Sequence, residues 1–503
     1  MKLSVLDLIV FIVLTLGSVL FGASFFFKNK TSSQFTSGGG KIPGWIVGFS
    51  LFAAFLSSIS FLGLPGKAYT SNWNAFVFSL SIPITAIFSI RFFVPLYRGL
   101  GSISAYHYLE VRFGAWASIY ASICYMLTQV MRIGAILLLL ALPLSALFGW
   151  NIKTIIIVTG IMVTIYSMLG GIQAVIWTDA IQGMILIVGV VVGALILTFS
   201  MPQGPGQIFE IAAANHKFSL GSFGSSLTDS TFWVVLMYGL FMNLQNFGID
   251  QSNVQRYMTT SSEKEAKSSA LFGYLLYVPL SMILFYTGTA LFAYYTAQPD
   301  LLPAELKVPG AGDKIFPYFI ATALPDGIKG LLIASIFAAG MSNMSTSING
   351  TATIILSDYY KKFFNKHAHE KSSMKVLYGS SLIVGTLGVI ISLSLVGVPS
   401  ILDAWWMLAS IFSGGMLGLF LLGYLSKSAR NIDAFIGVII GVLIIIWMSL
   451  SPIYFTQGKL LAFRSPFHED LTVVFGTLAI TLVGFLLAKL FAKKIGTKNL
   501  IEK

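Results

Sequence analysis

Apolar runs of about twenty residues recur from one end of this chain to the other. No other feature constrains the fold more, because a run of that length crosses the ~30 Å hydrocarbon core of a bilayer as one helix. The runs lie near 5–26, 43–65, 74–96, 114–147, 152–171, 176–200, 231–249, 268–296, 328–357, 376–397, 402–424, 432–450 and 471–492, thirteen in all. The polar stretches between them, the longest near 201–230, 250–267, 298–327, 358–375 and 451–470, are too short to bury a core of their own. The whole of 1–503 is therefore expected to be one all-α integral membrane domain surrounded by a lipid bilayer. The first run has no small-residue cleavage site before the next one, so it reads as a retained helix and not as a signal peptide.

Charge agrees with that reading. Only 10% of the residues are charged, against about 25% in soluble domains, and the mean hydropathy is +0.84. This excludes a cytosolic enzyme, a secreted disulfide scaffold and a disordered chain. The single Cys124 excludes an intrachain disulfide and any cysteine-based metal site, and the five histidines are scattered.

Lysine and arginine are distributed unevenly between the two sides. With the N-terminus outside, the inside segments hold twenty-one of them and the outside segments nine, with Arg132 left over inside a span. Arg256 is counted with the inside loops. The split favours an N-out, C-in chain with an odd number of spans. The net charge of +12 then reflects topology and leaflet attraction, and no nucleic-acid partner is expected.

Two spans contain helix-disrupting residues. In 43–65 the run Ala53-Ala54-Phe55-Leu56-Ser57-Ser58-Ile59-Ser60 precedes Gly63 and Pro65. In 231–249 the run from Gly239 to Gly248 carries Asn243, Gln245 and Asn246. Counted from 43–65 as core helix 1, these are core helices 1 and 6. Interrupted helices at matching positions of two halves point to an inverted-repeat transporter. Small-residue helix packing is the plainer explanation for either run alone.

Polar residues inside the spans carry the chemistry. Arg132 sits mid-span, where an arginine costs about 2.5–3.5 kcal/mol on insertion scales, so it must face the bundle interior or water. It either receives a substrate carboxylate in its guanidinium fork or makes a structural pair. Asp179 follows Trp177-Thr178 and offers an anionic oxygen, unless it merely complements a helix N-terminus. Ser342, Ser345 and Thr346 stand at i, i+3 and i+4 and share one helix face. Such oxygens suit a hard cation such as Na⁺, although hydroxyl stripes also arise from packing and back-bonding.

These residues, with three longer stretches, resemble the sodium:solute symporter family, and the likeness covers nearly the whole chain. The stretches are Leu169-Gly170-Gly171 followed by Trp177-Thr178-Asp179; Asp250 through Tyr257; and Ile336 through Ser342 running on to Asp358-Tyr359. The resemblance implies a LeuT-type five-plus-five inverted repeat: an extra helix at 5–26, a first repeat at 43–200, a second at 231–424, and two C-terminal helices within 432–492. It implies one sodium site between core helices 1 and 8, from the carbonyls of Ala53, Leu56 and Ala339 and the hydroxyl of Ser342. Asn343 stands where the family usually has serine or threonine. A second sodium is implied at Asp179, Ser342, Ser345 and Thr346.

The likeness is strongest to the bacterial sialic-acid branch, in which an arginine at the position of Arg132 meets the substrate carboxylate. Ser57 and Ser60 match hydroxyls near the substrate. Phe55 and Ser79 stand where that branch offers a hydroxyl and a glutamine.

The expected protein is thus a monomeric, multi-pass transporter of the bacterial inner membrane, not an enzyme. It couples one or two Na⁺ ions to a small polar solute, most simply a sugar acid such as sialic acid. A neutral sugar, a small monocarboxylate and a non-transporting solute sensor remain as alternatives.

Overall fold

The computed structural model describes residues 4–27, 30–308, 310–396 and 415–501, and among them there is no β-strand. The helices that build the bundle and its site are α1 (Val5–Ser24), α2 (Gly44–Phe55), α3 (Ser58–Thr70), α4 (Asn74–Leu100, with a π-helical turn at Ser89–Phe93), α5 (Ala115–Phe148), α6 (Ile152–Phe199), α7 (Phe232–Ile249), α8 (Gln251–Tyr257), α9 (Glu263–Ala297), α10 (Ile328–Ile354), α11 (Glu370–Ser394), α12 (Met416–Leu425), α13 (Asn431–Tyr454) and α14 (Leu471–Ile501).

Ten described helices are long and apolar enough to span a membrane, or eleven when the bent pair α2 and α3 counts as one span. Two differences separate this from the expected thirteen. The runs 152–171 and 176–200 fall in the single element α6. The run 402–424 lies mostly outside the described residues, which resume at Gly415 with α12 to follow.

A straight helix of α6's 48 residues would be about 72 Å long, more than twice the hydrocarbon core. Gly171 interrupts it with φ +55° and ψ −157°, a backbone region that is essentially glycine-only. A Cβ there would meet the Phe35 ring at 2.8 Å and the Phe35 carbonyl at 2.9 Å.

The expected break in core helix 1 is present. α2 ends at Phe55, Leu56 adopts an extended φ of −82° and ψ of 107°, and the two segments bend by 53°. Ser57 caps α3, its hydroxyl accepting from the Ser60 N–H at 3.2 Å. In core helix 6 the break lies elsewhere than expected. α7 runs unbroken from Phe232 to Ile249, and the chain turns at Asp250, with φ −69° and ψ 123°.

The amides and glycines of α7 serve packing. Asn243 Nδ2 donates to the Phe78 carbonyl and to Ser81 Oγ. Gly239 lets the Phe78 backbone approach to where a Cβ would sit 3.0 Å from its carbonyl. Asp250 then caps α8, accepting from the Ser252 N–H at 2.8 Å. Both halves therefore begin with a span that ends in an extended residue followed by a capped helix.

α10 is the central helix, with 94% of its most apolar window buried. It packs on α6, α1, α5 and α11. With little lipid-facing surface, its many hydroxyls and amides must find partners inside the protein. Asp7 of α1 fixes its start, accepting the N–H groups of Gly327 at 2.7 Å and Gly330 at 3.0 Å.

Candidate functional site

A cavity of about 910 Å³ reaches from the α2–α3 break to exposed loop residues. At its inner end it is lined by Phe55, Ser57, Ser60, Ser79 and Arg132, and at its mouth by Ser222, Ser230 and Glu469. All five residues singled out for substrate therefore border one space. Below it lies an aromatic layer. The Phe55 ring sits 4.6 Å from that of Tyr277 and 5.1 Å from that of Phe247, and Phe247 stacks on Tyr274 at 3.6 Å. Tyr257 Oη donates to the Phe247 carbonyl at 2.6 Å. Phe55 thus contributes to an apolar seal under the cavity, where a hydroxyl would have needed a partner.

Arg132 lines the cavity and makes a hydrogen bond from its guanidinium to Asn343 Oδ1. Among the described residues no carboxylate lies within ion-pair distance of it. Asp250 lines the same cavity and acts on Arg132 through its charge, short of an ion pair, and a guanidinium offers five donors. Sequence reasoning missed three neighbours of Arg132 in the cavity: Gln129, Asn246 and Asp250. Gln129 stands at i−3 from Arg132, so the two share a helix face, which the spacing could have revealed. Asn246 lay in the amide-rich run already noted.

The carbonyls of Leu56 and Ala339 converge from the two elements expected to hold the outer ion. Both accept from Asn343 Nδ2, at 3.2 and 2.9 Å. Ala53 is buried in the last turn of α2, where helix carbonyls begin to lack intrahelical partners.

Asp179 is fully buried inside α6, so it does not act as a helix-end carboxylate. Its Oδ2 accepts from Ser50 Oγ at 2.9 Å and from the Arg256 guanidinium at 2.7 Å. Arg256 also donates to Thr346 Oγ1, to Ser50 Oγ and to the Ser252 carbonyl. This arginine was counted with the surface loops by charge alone, yet it is wholly buried. α8 carries it back into the bundle after the turn at Asp250.

Ser345 Oγ back-bonds to the Ser342 carbonyl at 3.0 Å. Ser342 lies within hydrogen-bonding reach of Asp179, and neither Ser342 Oγ nor Asp179 Oδ1 has another hydrogen-bond partner among the described residues. A hard cation is the ligand this oxygen pair suits.

The profile of the sodium:solute symporter family matches residues 35–441. The chain belongs to that family. It is 34% identical to the sodium/sialic acid symporter NanT of Aliivibrio fischeri, over 97% of this chain and 94% of that one. It is 30% identical to the human sodium-coupled monocarboxylate transporter 1, over 88% of this chain and 73% of that one. Among solved structures, the substrate-bound outward-open state of a Na⁺-coupled sialic acid symporter superposes with a TM-score of 0.89 at 32% identity, covering 97% of this chain and 98% of that one. Mhp1, a nucleobase-cation-symport-1 family transporter, shares the fold at a TM-score of 0.54 and 14% identity.

The symporter accordingly has the LeuT-type fold and works as a sodium-coupled membrane transporter of a small solute, not as an enzyme. Its cavity mouth holds carboxylates as well as lysine. Burial raises the Asp470 carboxyl to about 6, where His468 opposes the shift and Glu469 adds to it. Burial likewise raises Asp313 against the pull of Lys67.

Proposed function

We propose that this symporter imports a carboxylate-bearing sugar acid of the sialic-acid type, driven by two Na⁺ ions. The observation that carries the reading is Arg132, lining the cavity with no carboxylate in ion-pair contact among the described residues. An arginine fork there would take the substrate carboxylate through two parallel hydrogen bonds. Ser57, Ser60 and Ser79 would meet hydroxyls of the sugar, and Phe55 would underlie it. The sodium/sialic acid symporters among the relatives support this choice. So does the volume of about 910 Å³, near the upper end for small-molecule sites and generous for a short monocarboxylate.

The outer ion would use the carbonyls of Ala53, Leu56 and Ala339 with Ser342 and Asn343. The inner ion would use Asp179, Ser342, Ser345 and Thr346, with Asp179 Oδ1 and Ser342 Oγ bonded to no other group among the described residues. The outer ligands come from both α2 and α10, so that ion binds best when the two lie together. That difference in affinity is what shifts the conformational equilibrium.

The repeats would span 43–200 and 231–424, with 5–26 before and 432–492 after. The paired breaks at Leu56 and Asp250 support that division. The protein would lie in a bacterial inner membrane as a monomer, N-terminus outside, with no nucleic-acid partner. The Lys/Arg asymmetry supports that orientation, standing at twenty to nine with buried Arg256 removed.

Uptake into proteoliposomes tests the reading. Labelled sialic acid should accumulate under an inward Na⁺ gradient and not under K⁺. Accumulation of lactate but not sialic acid would move the substrate to the short monocarboxylates. Accumulation of neither would overturn the carboxylate reading and leave a neutral sugar as the next solute to test.

A further inference from the structure

Asn343 is fully buried. Its Nδ2 donates to the Leu56 and Ala339 carbonyls at 3.2 and 2.9 Å, while its Oδ1 accepts from Arg132. One planar amide therefore joins the carboxylate-seeking arginine to two carbonyls proposed for the outer ion, and it places N–H groups where a cation would go. A cation and an N–H compete for the same carbonyl lone pairs.

For Na⁺ to enter, the amide must turn its oxygen toward the carbonyls. That turn points its NH₂ at the guanidinium, donor against donor. The clash is relieved once a substrate carboxylate engages Arg132, because its oxygens also offer the turned NH₂ an acceptor.

Resting on the proposed carboxylate substrate, we infer that Asn343 is a positioning residue that links the two ligands. With Arg132 free, the amide is held oxygen-out and blocks the outer ion. With a carboxylate on Arg132, the amide turns, and Oδ1 joins the Leu56 and Ala339 carbonyls around Na⁺. Substrate then creates an ion ligand, and by linkage the ion tightens substrate by the same factor. A serine at this position has no NH₂ to block the site, so Asn343→Ser should lack this dependence. The Asp179 site shares Ser342 with the outer site, but its arginine is Arg256 and the bonds of Asp179 do not involve Asn343.

The test is ²²Na⁺ binding to the purified full-length protein, with sialic acid raised to saturate each variant. In the wild type, sialic acid should tighten apparent Na⁺ binding by about tenfold or more, within the 5–150-fold range of site-to-site couplings. In Asn343→Ser the tightening should fall below about twofold in both directions. The methyl ester of sialic acid, which has no carboxylate, should fail to tighten Na⁺ binding even in the wild type, and this arm needs no variant to fold. Equal tightening in wild type and Asn343→Ser, or by ester and acid, overturns the inference while leaving the substrate reading intact. If neither sialic acid nor lactate binds in saturating Na⁺, both the inference and the reading fall.

Discussion

Replacing Asp179 with asparagine separates two roles that meet in one carboxylate. In the wild type, Asp179 Oδ2 is the only anionic acceptor among the described residues that bond Arg256, whose other partners are Ser50 Oγ, Thr346 Oγ1 and the Ser252 carbonyl. Both side chains of the pair are fully buried. Asp179→Asn keeps an acceptor oxygen but strands the positive charge. Breaking a buried pair from one side costs about 3–5 kcal/mol, and the three remaining neutral acceptors place the expected loss near ~3 kcal/mol.

Arg256→Met added to Asp179→Asn removes the stranded charge and should recover most of that loss. Neither change restores the carboxylate Oδ1 proposed for the inner ion. The double variant should therefore regain thermal stability while its Na⁺ Hill coefficient stays near one. Thermal unfolding in detergent across a Na⁺ titration reads stability, and proteoliposome uptake reads cooperativity. A site that binds only the folded state adds about 2.7 kcal/mol at 100 Kd, so loss of one ion site lies within reach of the assay. Wild-type stability in Asp179→Asn would refute the pairing argument. A Hill coefficient above one in the stable double variant would remove Asp179 from the ion site.

Three further outcomes follow from the same geometry. Arg132→Lys keeps the charge and loses the fork, so sialic acid should bind at least about tenfold more weakly, or ~1.4 kcal/mol, with a neutral sugar unaffected; equal loss for both, seen by calorimetry, would make Arg132 structural. Two Na⁺ with one monoanion carry one net positive charge inward, so a potential of −100 mV should add about 2.3 kcal/mol to accumulation; uptake that ignores an imposed K⁺-diffusion potential would refute two ions. Asp470 has its carboxyl raised to about 6 at the cavity mouth, so it gains a proton as pH falls from 7 to 5; the mouth then repels an anion less, and the KM for sialic acid should fall severalfold at low ionic strength. Asp470→Asn should flatten that profile, and an unchanged slope would exclude Asp470 as its source.

Much of the fold was legible because lipid simplifies the problem. A run such as 471–492 can only be a helix, and Gly170-Gly171 can only end one in a chain where two spans follow so closely. The break at Leu56 was legible for a similar reason, since Ser57, Gly63 and Pro65 combine a cap with helix breakers. The break in the second half was displaced because asparagine and glycine have two uses in a membrane helix. Asn243 and Gly239 fit α7 tightly against Phe78 and Ser81, and only Asp250, a capping residue just past the apolar run, marks the actual turn. Composition gave each amide the same weight, whereas the neighbouring helix decides which amides are already satisfied.

The site divides along the same line. Arg132 and the serines could be found because an ionised or hydroxylic side chain at membrane depth must be explained by something inside the protein. Arg256 escaped because it lies at the edge of an apolar run, where a charge ordinarily snorkels to water; the turn at Asp250 sends it inward instead. Asn343 was read at the outer ion site, but which of its atoms faces the ion was not legible. Its residue type permits either an oxygen or an NH₂ toward the carbonyls of Leu56 and Ala339, and no spacing rule chooses between them. The choice is made by Arg132, one helix away, whose donors claim the amide oxygen. A ligand set read from one sequence therefore lists the oxygens that are available, while the hydrogen bonds between helices determine when each of them is free to hold an ion.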